Sequence, residues 1–134
     1  LIANFTGGMY AFTGDLASLS PDNRKLVARY IALFKRKREW MAQAAGHWLE
    51  DDERFKVIEL EHDGEAIIEI FYHPADAVSE RTLRPVGLDP KATYCVDQKN
   101  YTGAELMTNG LTITLTQNMH LQWRAKMILL ERQN

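Results

Sequence analysis

Carboxylates and imidazoles supply most catalytic acids, bases and metal ligands, so the acidic and histidine residues are the first candidates for chemistry. The four histidines, His47, His62, His73 and His120, are scattered along the chain, and their spacing matches no zinc site. His62 borders a hairpin signal and His73 precedes a proline, which favours surface or turn positions. The sequence therefore predicts no metal site.

Four consecutive acidic residues, Glu50 to Glu53, raise the question of calcium binding. The alternating ligands and central glycine of an EF-hand are missing, so a solvated loop is the expected structure. The single cysteine, Cys95, excludes a disulfide within the chain, and its place in a strand pattern requires no reactive role. We find no catalytic residues in the sequence and expect no cofactor.

Aromatic residues offer a different chemistry, because a flat ring can stack on a sugar. Trp123 falls in an apolar, strand-like segment and is expected in the core. Trp48 stands beside a polar loop, and the sequence leaves open whether it is buried or exposed. An independent carbohydrate-binding module therefore stays open as an alternative function, with Trp48 as its aromatic platform.

Positive charge is concentrated between residues 20 and 45, where seven Lys/Arg residues outnumber two acidic ones. This segment could contact nucleic-acid phosphates or a protein partner. Its basic residues are interleaved with an apolar stripe, however, and the whole chain has a net charge of −2. These features favour the solvated side of a packed helix over nucleic-acid binding. No apolar run approaches the roughly 18 residues that a membrane span requires, so no membrane partner is expected.

A helix of about five turns is predicted from Ser20 onwards. Ser20 is a good N-cap, Pro21 suits the first helical position, and Asp22 places a negative charge in the first turn. Apolar residues recur at helical spacing after this start, namely Leu26, Val27, Tyr30, Ile31, Leu33, Phe34, Trp40 and Met41. Gly46 is the expected terminator of the helix.

The rest of the chain has the period of β-strands. The strands 55–62 and 65–73 flank Asp63-Gly64, a strong hairpin signal. We expect two further pairs between neighbours in sequence, the first of "RTLRPV" with "ATYCVD" and the second of "LTITLT" with "LQWRAKMILLE". In the last strand, Leu121, Trp123, Ala125 and Met127 are predicted to form the dry face. Six strands in hairpin order predict an antiparallel sandwich.

The stretch "YTGAELMTNGL", Tyr101 to Leu111, predicts a single helical turn between strands. Thr102 and Glu105 have the spacing of a capping box, and Gly110 can supply the left-handed residue that ends the turn. Leu106 and Met107 could then cover one open end of the sandwich. We assign Thr102, Glu105 and Gly110 a structural role.

Four segments resemble the melibiase-like α-galactosidases, glycoside hydrolase family 36 and, more distantly, family 27. Gly14–Trp40 is similar to their last barrel strand and final helix, and Gly87–Val96 to their Gly-Leu-Asp-Pro turn and following strand. Tyr101–Leu111 resembles their Gly-x-Glu-Leu-Met segment, and "MILLERQ" their closing strand. The similarity covers nearly the whole chain.

The resemblance implies a mainly β fold in two parts. Residues 1–46 would be the remnant of strand 8 and the final helix of a (β/α)₈ barrel, and residues 47–134 the C-terminal antiparallel β-sandwich. Because the chain begins at Leu1 without an initiator methionine or signal peptide, we expect it to be cut from a longer polypeptide, which leaves the location of the parent open.

The same resemblance implies that the catalytic machinery is elsewhere. Such retaining enzymes use two aspartates on earlier barrel strands, upstream of Leu1, to hydrolyse a terminal α-linked galactose. Asp15 matches the Asp-Leu step that enters the last helix and is given a local structural role. Tyr10 and Phe12 lie in a loop that would border the sugar pocket of the parent, and are the possible substrate contacts. The expected partners are the missing barrel and, through helix 21–41, a second copy of the chain.

Overall fold

The computed structural model describes residues 15–73, 80–115 and 124–133. The chain forms two compact units, Leu1–Ala44 and Ala45–Asn134. The division falls close to the boundary expected after residue 46. That the first unit is a barrel remnant stays a prediction.

The first unit contains a short 3-10 helix, Leu16–Ser18, and the long helix α1, Pro21–Met41. The start of α1 agrees with the sequence, since the Ser20 hydroxyl accepts the Asn23 N–H at 3.3 Å. Its predicted end at Gly46 is wrong. Gln43 N–H donates to the Trp40 carbonyl at 3.1 Å and Ala44 N–H to the Met41 carbonyl at 3.2 Å. These tightened turns satisfy the last carbonyls without a glycine.

Most of the apolar stripe of α1 is half-buried, while Leu26 keeps 44% of its surface exposed. Lys37 is the exception among the basic residues, since it is buried and its Nζ lies 5.4 Å from the Trp40 ring centroid. A long lysine can bury its methylene stem beside an aromatic ring. The other basic positions of the helix are exposed, as expected for a solvated face: Arg24, Lys25, Arg29, Lys35, Arg36 and Arg38.

The second unit is mainly β, and every strand pair in the described residues is antiparallel. A four-stranded sheet has the order β1-β2-β3-β8, and two smaller sheets pair β4 with β7 and β5 with β6. A short helix α2, Gly103–Thr108, lies between β6 and β7. The strands are β1 Ala45–Asp51, β2 Phe55–His62, β3 Glu65–Tyr72, β4 Glu80–Leu83, β5 Thr93–Val96, β6 Lys99–Thr102, β7 Leu111–Thr114 and β8 Arg124–Leu130.

The hairpin predicted between β2 and β3 is present. Asp63 and Gly64 have φ values of 50° and 70°, so both turn residues are left-handed, as a two-residue hairpin turn requires. His62 pairs with Glu65 directly across this turn, and the ladder continues to Phe55 opposite Tyr72.

The other two predicted pairs are wrong. β4 pairs with β7 and β8 pairs with β3, so both partners are distant in sequence. β5 instead pairs with β6 through a turn at Asp97 and Gln98, whose φ values are 49° and 65°. Neither residue is a glycine, so the strongest local signal for this hairpin was missing from the sequence.

The predicted dry face of the last strand is also wrong where the structure describes it. Ala125 is exposed, whereas Ile128 and Leu130 are buried and belong to the core. The segment 127–130 is apolar at every position, so alternation alone could not indicate which side faces inward. Leu121 and Trp123 lie outside the described residues.

One hydrophobic core serves all three sheets of the second unit and the helix α2. Burial of each large apolar side chain is worth about 1.5–3 kcal/mol, so this shared core is what holds the smaller sheets in place. Its buried members are Phe55, Val57, Ala66, Ile68, Ile70, Tyr72, Leu83, Leu88, Tyr94, Val96, Leu106, Leu111, Ile113, Leu115, Ile128 and Leu130. Neither of the described α-helices has the length and apolar character to cross a membrane.

Candidate functional site

The residues predicted to contact substrate, Tyr10 and Phe12, lie outside the described residues, so their role stays a prediction. Asp15 is described and exposed. Its Oδ1 accepts the Ala17 N–H at 2.9 Å, and its backbone carbonyl accepts the Ser18 hydroxyl at 2.8 Å. Asp15 thus caps the 3-10 turn that precedes α1.

Both hydrogen bonds of a capping box are present at the start of α2. The Thr102 hydroxyl accepts the Glu105 N–H at 3.2 Å, and Glu105 Oε2 accepts the Thr102 N–H at 2.7 Å. The Thr102 hydroxyl also donates to Glu105 Oε2 at 2.9 Å, and the two bonds from the Thr102 N–H and hydroxyl lower the pKa of Glu105. The helix ends before Gly110, whose φ of 82° is the left-handed conformation that glycine adopts without strain.

The first turn of α2 rests on the turn at Asp89 and Pro90. Gly103 N–H donates to the Ala92 carbonyl at 3.0 Å, and Ala104 N–H donates to the Pro90 carbonyl at 3.1 Å. A Cβ at Gly103 would lie 2.0 Å from the Asp89 carbonyl oxygen. Close contact between these two backbones therefore requires glycine. We call this contact the turn–helix junction.

Tyr94 ties the junction to the first hairpin. Its hydroxyl donates to the Gly64 carbonyl and accepts the Asp89 N–H at 3.0 Å. The side chain is fully buried, and this burial raises the pKa of the phenol. A neutral hydroxyl can donate and accept at once, so Tyr94 links two loops that are far apart in sequence.

A second buried polar group, Glu59, holds the segment just before the junction. Its Oε2 accepts the Val86 N–H at 2.8 Å and its Oε1 accepts the Gly87 N–H at 2.9 Å. The residue has no exposed surface, and desolvation raises the pKa of its carboxyl despite these two bonds. Since each carboxylate oxygen already accepts a backbone N–H, Glu59 is built to hold a loop.

Two further candidate side chains from the sequence, His47 and Cys95, lie in the second unit. His47 Nε2 lies 3.4 Å from Glu61 Oε1 in a half-exposed pair. Cys95 is exposed. In residues 15–73, 80–115 and 124–133, no group of three or more His, Cys, Asp or Glu side chains could hold a metal ion.

Trp48, the predicted aromatic platform, lies in β1 and is 59% exposed. Of the residues expected to lie in an acidic loop, Glu50 and Asp51 belong to this strand instead. Asp52 caps the turn into β2, where its Oδ1 accepts the Arg54 N–H at 2.7 Å and the Phe55 N–H at 3.0 Å. The first of these bonds is the main cause of the lowered pKa of Asp52.

Sequence reasoning missed Glu59, Tyr94 and Gly103. A glutamate at an inward position of the apolar strand "FKVIELEH" was the available signal for Glu59. For Gly103 and Tyr94 the sequence offered no comparable signal, because their partners lie in loops that only the tertiary structure brings close.

Comparison with known proteins supports the family resemblance that the sequence segments meeting at the turn–helix junction indicated. The model of the glycosyl hydrolase family 36 C-terminal domain matches residues 60–130, more than half of the chain. Probable α-galactosidases C from Aspergillus flavus and Aspergillus oryzae are each 29% identical over 95% of this chain. The matching region spans 17% of the length of each relative.

Solved structures show the same fold at lower identity. The family 36 α-galactosidase AgaB from Geobacillus stearothermophilus matches 88% of this chain with a TM-score of 0.75 and 21% identity, over 17% of its own chain. An α-galactosidase from Lactobacillus brevis matches 90% with a TM-score of 0.75 and 17% identity, over 18% of its own chain. The resemblance seen in the sequence is confirmed, and the chain belongs to the glycosyl hydrolase family 36 C-terminal domain family.

Proposed function

We propose that this chain is the non-catalytic C-terminal region of an α-galactosidase-type glycoside hydrolase that removes terminal α-linked galactose. The supporting observation is the family match over residues 60–130, together with relatives that carry the name α-galactosidase. The chain spans about 17% of the length of those relatives, which leaves ample room for a catalytic domain.

The chemistry of the described residues agrees with a supporting role. Retaining glycosidases need two carboxyl groups roughly 5 Å apart, one as nucleophile and one as acid/base. Glu59 is committed to two backbone N–H groups, and Glu105 to the cap of α2. We place the two catalytic aspartates upstream of this chain, on the barrel strands of the parent. Residues 1–46 would then contribute the last strand and helix of that barrel.

The test is an activity assay with an aryl α-galactoside. This chain alone, purified free of host glycosidases, should release no more phenol than buffer does. The full-length parent, assayed at the same molar concentration, should turn the substrate over. Clear turnover by the isolated chain would contradict the proposal, and so would a full-length parent without activity on α-galactosides.

A further inference from the structure

The strand β1 contains a β-bulge beside Trp48. Trp48 lies opposite Ile58 and Glu50 lies opposite Val57, so Leu49 is an extra residue without a partner in β2. Leu49 packs against the hydrophobic core. A bulge of this kind changes which face the following residues occupy.

The bulge places three chemically different side chains on one face of the sheet. In a regular strand, residues 48 and 51 would face opposite sides, because they are three positions apart. After the bulge, Asp51 lies opposite Lys56, whereas Trp48 lies opposite Ile58. Lys56 and Ile58 are two positions apart in β2, so they are on the same face of the sheet. Trp48, Asp51 and Lys56 thus share one face, and we call them the Trp48 cluster.

Lys56 links the three side chains of the Trp48 cluster, and all three are accessible. Lys56 Nζ is paired with Asp51 Oδ1 and lies 5.9 Å from the centroid of the Trp48 ring. Trp48 is 59% exposed, and the side chains of Lys56 and Asp51 are 39% and 56% exposed. The accessible indole therefore has a hydrogen-bond donor, Lys56, over its ring, and that donor holds an acceptor, Asp51.

Charge limits what such a cluster can bind. Four consecutive acidic residues, Glu50 to Glu53, include part of the cluster and continue beyond it, so phosphates and other polyanions are repelled. The Lys56 ammonium next to the indole opposes a cationic ligand, which would compete for the same ring. A neutral ligand with an apolar face and several hydroxyl groups fits all three side chains.

We propose that the Trp48 cluster is a surface binding site for a neutral pyranose, with a terminal galactosyl group as its ligand. The C–H groups on one face of the sugar pack on the indole, while Asp51 accepts and Lys56 donates hydrogen bonds at the ring hydroxyls. The axial O4 of galactose leaves the C–H groups of C3, C4 and C5 together on one face. The choice of galactose rests on the proposed function, whereas the pyranose class rests on the cluster.

The experiment is a titration of this chain with methyl α-galactoside, followed by the NMR signals of the indole N–H groups. The signal of Trp48 should shift saturably at millimolar sugar, while those of Trp40 and Trp123 stay in place. Trp48→Ala removes this signal, so its binding is measured by saturation transfer to the sugar's own NMR signals. The variant should bind about tenfold more weakly or worse, since it lacks the main apolar contact. Asp51→Asn should weaken binding by a smaller factor and leave the indole signal observable.

Val86→Ala is the matched control, because it removes another exposed large apolar side chain that is not part of the cluster. It should bind the sugar as the unchanged chain does. The proposal is overturned if no signal saturates, if Trp48→Ala binds equally well, or if glycerol shifts Trp48 as strongly as the sugar. Equal binding of methyl α-glucoside would overturn the assignment to galactose. Turnover is not measured, so these outcomes are independent of the aryl α-galactoside assay.

Discussion

At the scale of single residues, Glu59 and Glu105 both accept backbone N–H groups, yet their pKa values move in opposite directions. Glu59 is buried, and desolvation of its charged form outweighs its two bonds and raises the pKa from 4.5. Glu105 is exposed, so its bonds to Thr102 lower the pKa from the same ordinary value. Burial therefore decides the direction, and the two carboxyl groups have opposite effects on stability at acid pH.

Glu59→Gln should lower the free energy of unfolding by about 1–3 kcal/mol, because the amide group must turn its NH₂ towards one of two backbone N–H groups. Because the pKa of Glu59 is raised in the folded state, its contribution to the free energy of unfolding is full below pH 4.5. This contribution is lost as the pH rises through the folded pKa. The stability difference between wild type and variant should therefore be larger below pH 4.5 than at neutral pH. Urea denaturation across this range measures it, with the exposed Glu53→Gln as control. A difference that grows towards neutral pH would contradict this sign.

Thr102→Ala should lower the free energy of unfolding by about 1 kcal/mol, the usual contribution of an N-cap hydroxyl. The contribution of Glu105 to the same cap should fade as pH falls through its lowered pKa, because the protonated carboxyl no longer holds two donors. Thermal or urea unfolding measures both effects, and Thr108→Ala in the last turn of α2 is the control. In the full-length parent, the turnover number should stay nearly unchanged. Loss of activity with unchanged stability would argue for a catalytic role of this turn.

At the scale of elements, local signals predicted the segments well and their partners poorly. The cap at Ser20, the Asp63-Gly64 hairpin and the capping box all depend on residues within three positions of one another, and the structure contains each of them. The pairings of β4 and β8 depend on contacts between distant residues, which neighbouring residues do not encode. The proposed Trp48 cluster depends on one extra residue in β1, which no periodic pattern indicated.

Gly103→Ala tests the turn–helix junction. In an ordinary helix this change stabilises by roughly 0.5–1 kcal/mol. Here the new Cβ would lie 2.0 Å from the Asp89 carbonyl oxygen, so α2 or the turn must shift and stability should fall. Ala104→Gly in the same turn should show only the ordinary helix cost of about 1 kcal/mol. Urea denaturation of both variants separates the effects, and a stabilised Gly103→Ala would mean that the contact is looser than described.

At the scale of the whole molecule, the two units differ in how their apolar surface is used. The second unit encloses its large apolar residues in one core, whereas the stripe of α1 is mostly half-buried and Leu26 is 44% exposed. In the proposed parent, the barrel would cover this stripe. In the isolated chain, a second copy is the simplest replacement, because two stripes can pack about a two-fold axis while the basic residues stay in water.

We therefore expect this chain to self-associate at micromolar concentration, with a mass above the 15.4 kDa of one chain in light scattering. Leu26→Glu should shift the population towards monomer, because it places a charge within the apolar contact. Ala28→Glu adds the same charge to the exposed side of the helix, since two residues span about 200° of a helical turn, and should leave association unchanged. A wild-type chain that stays monomeric, or equal effects of the two variants, would show that the stripe of α1 needs no partner.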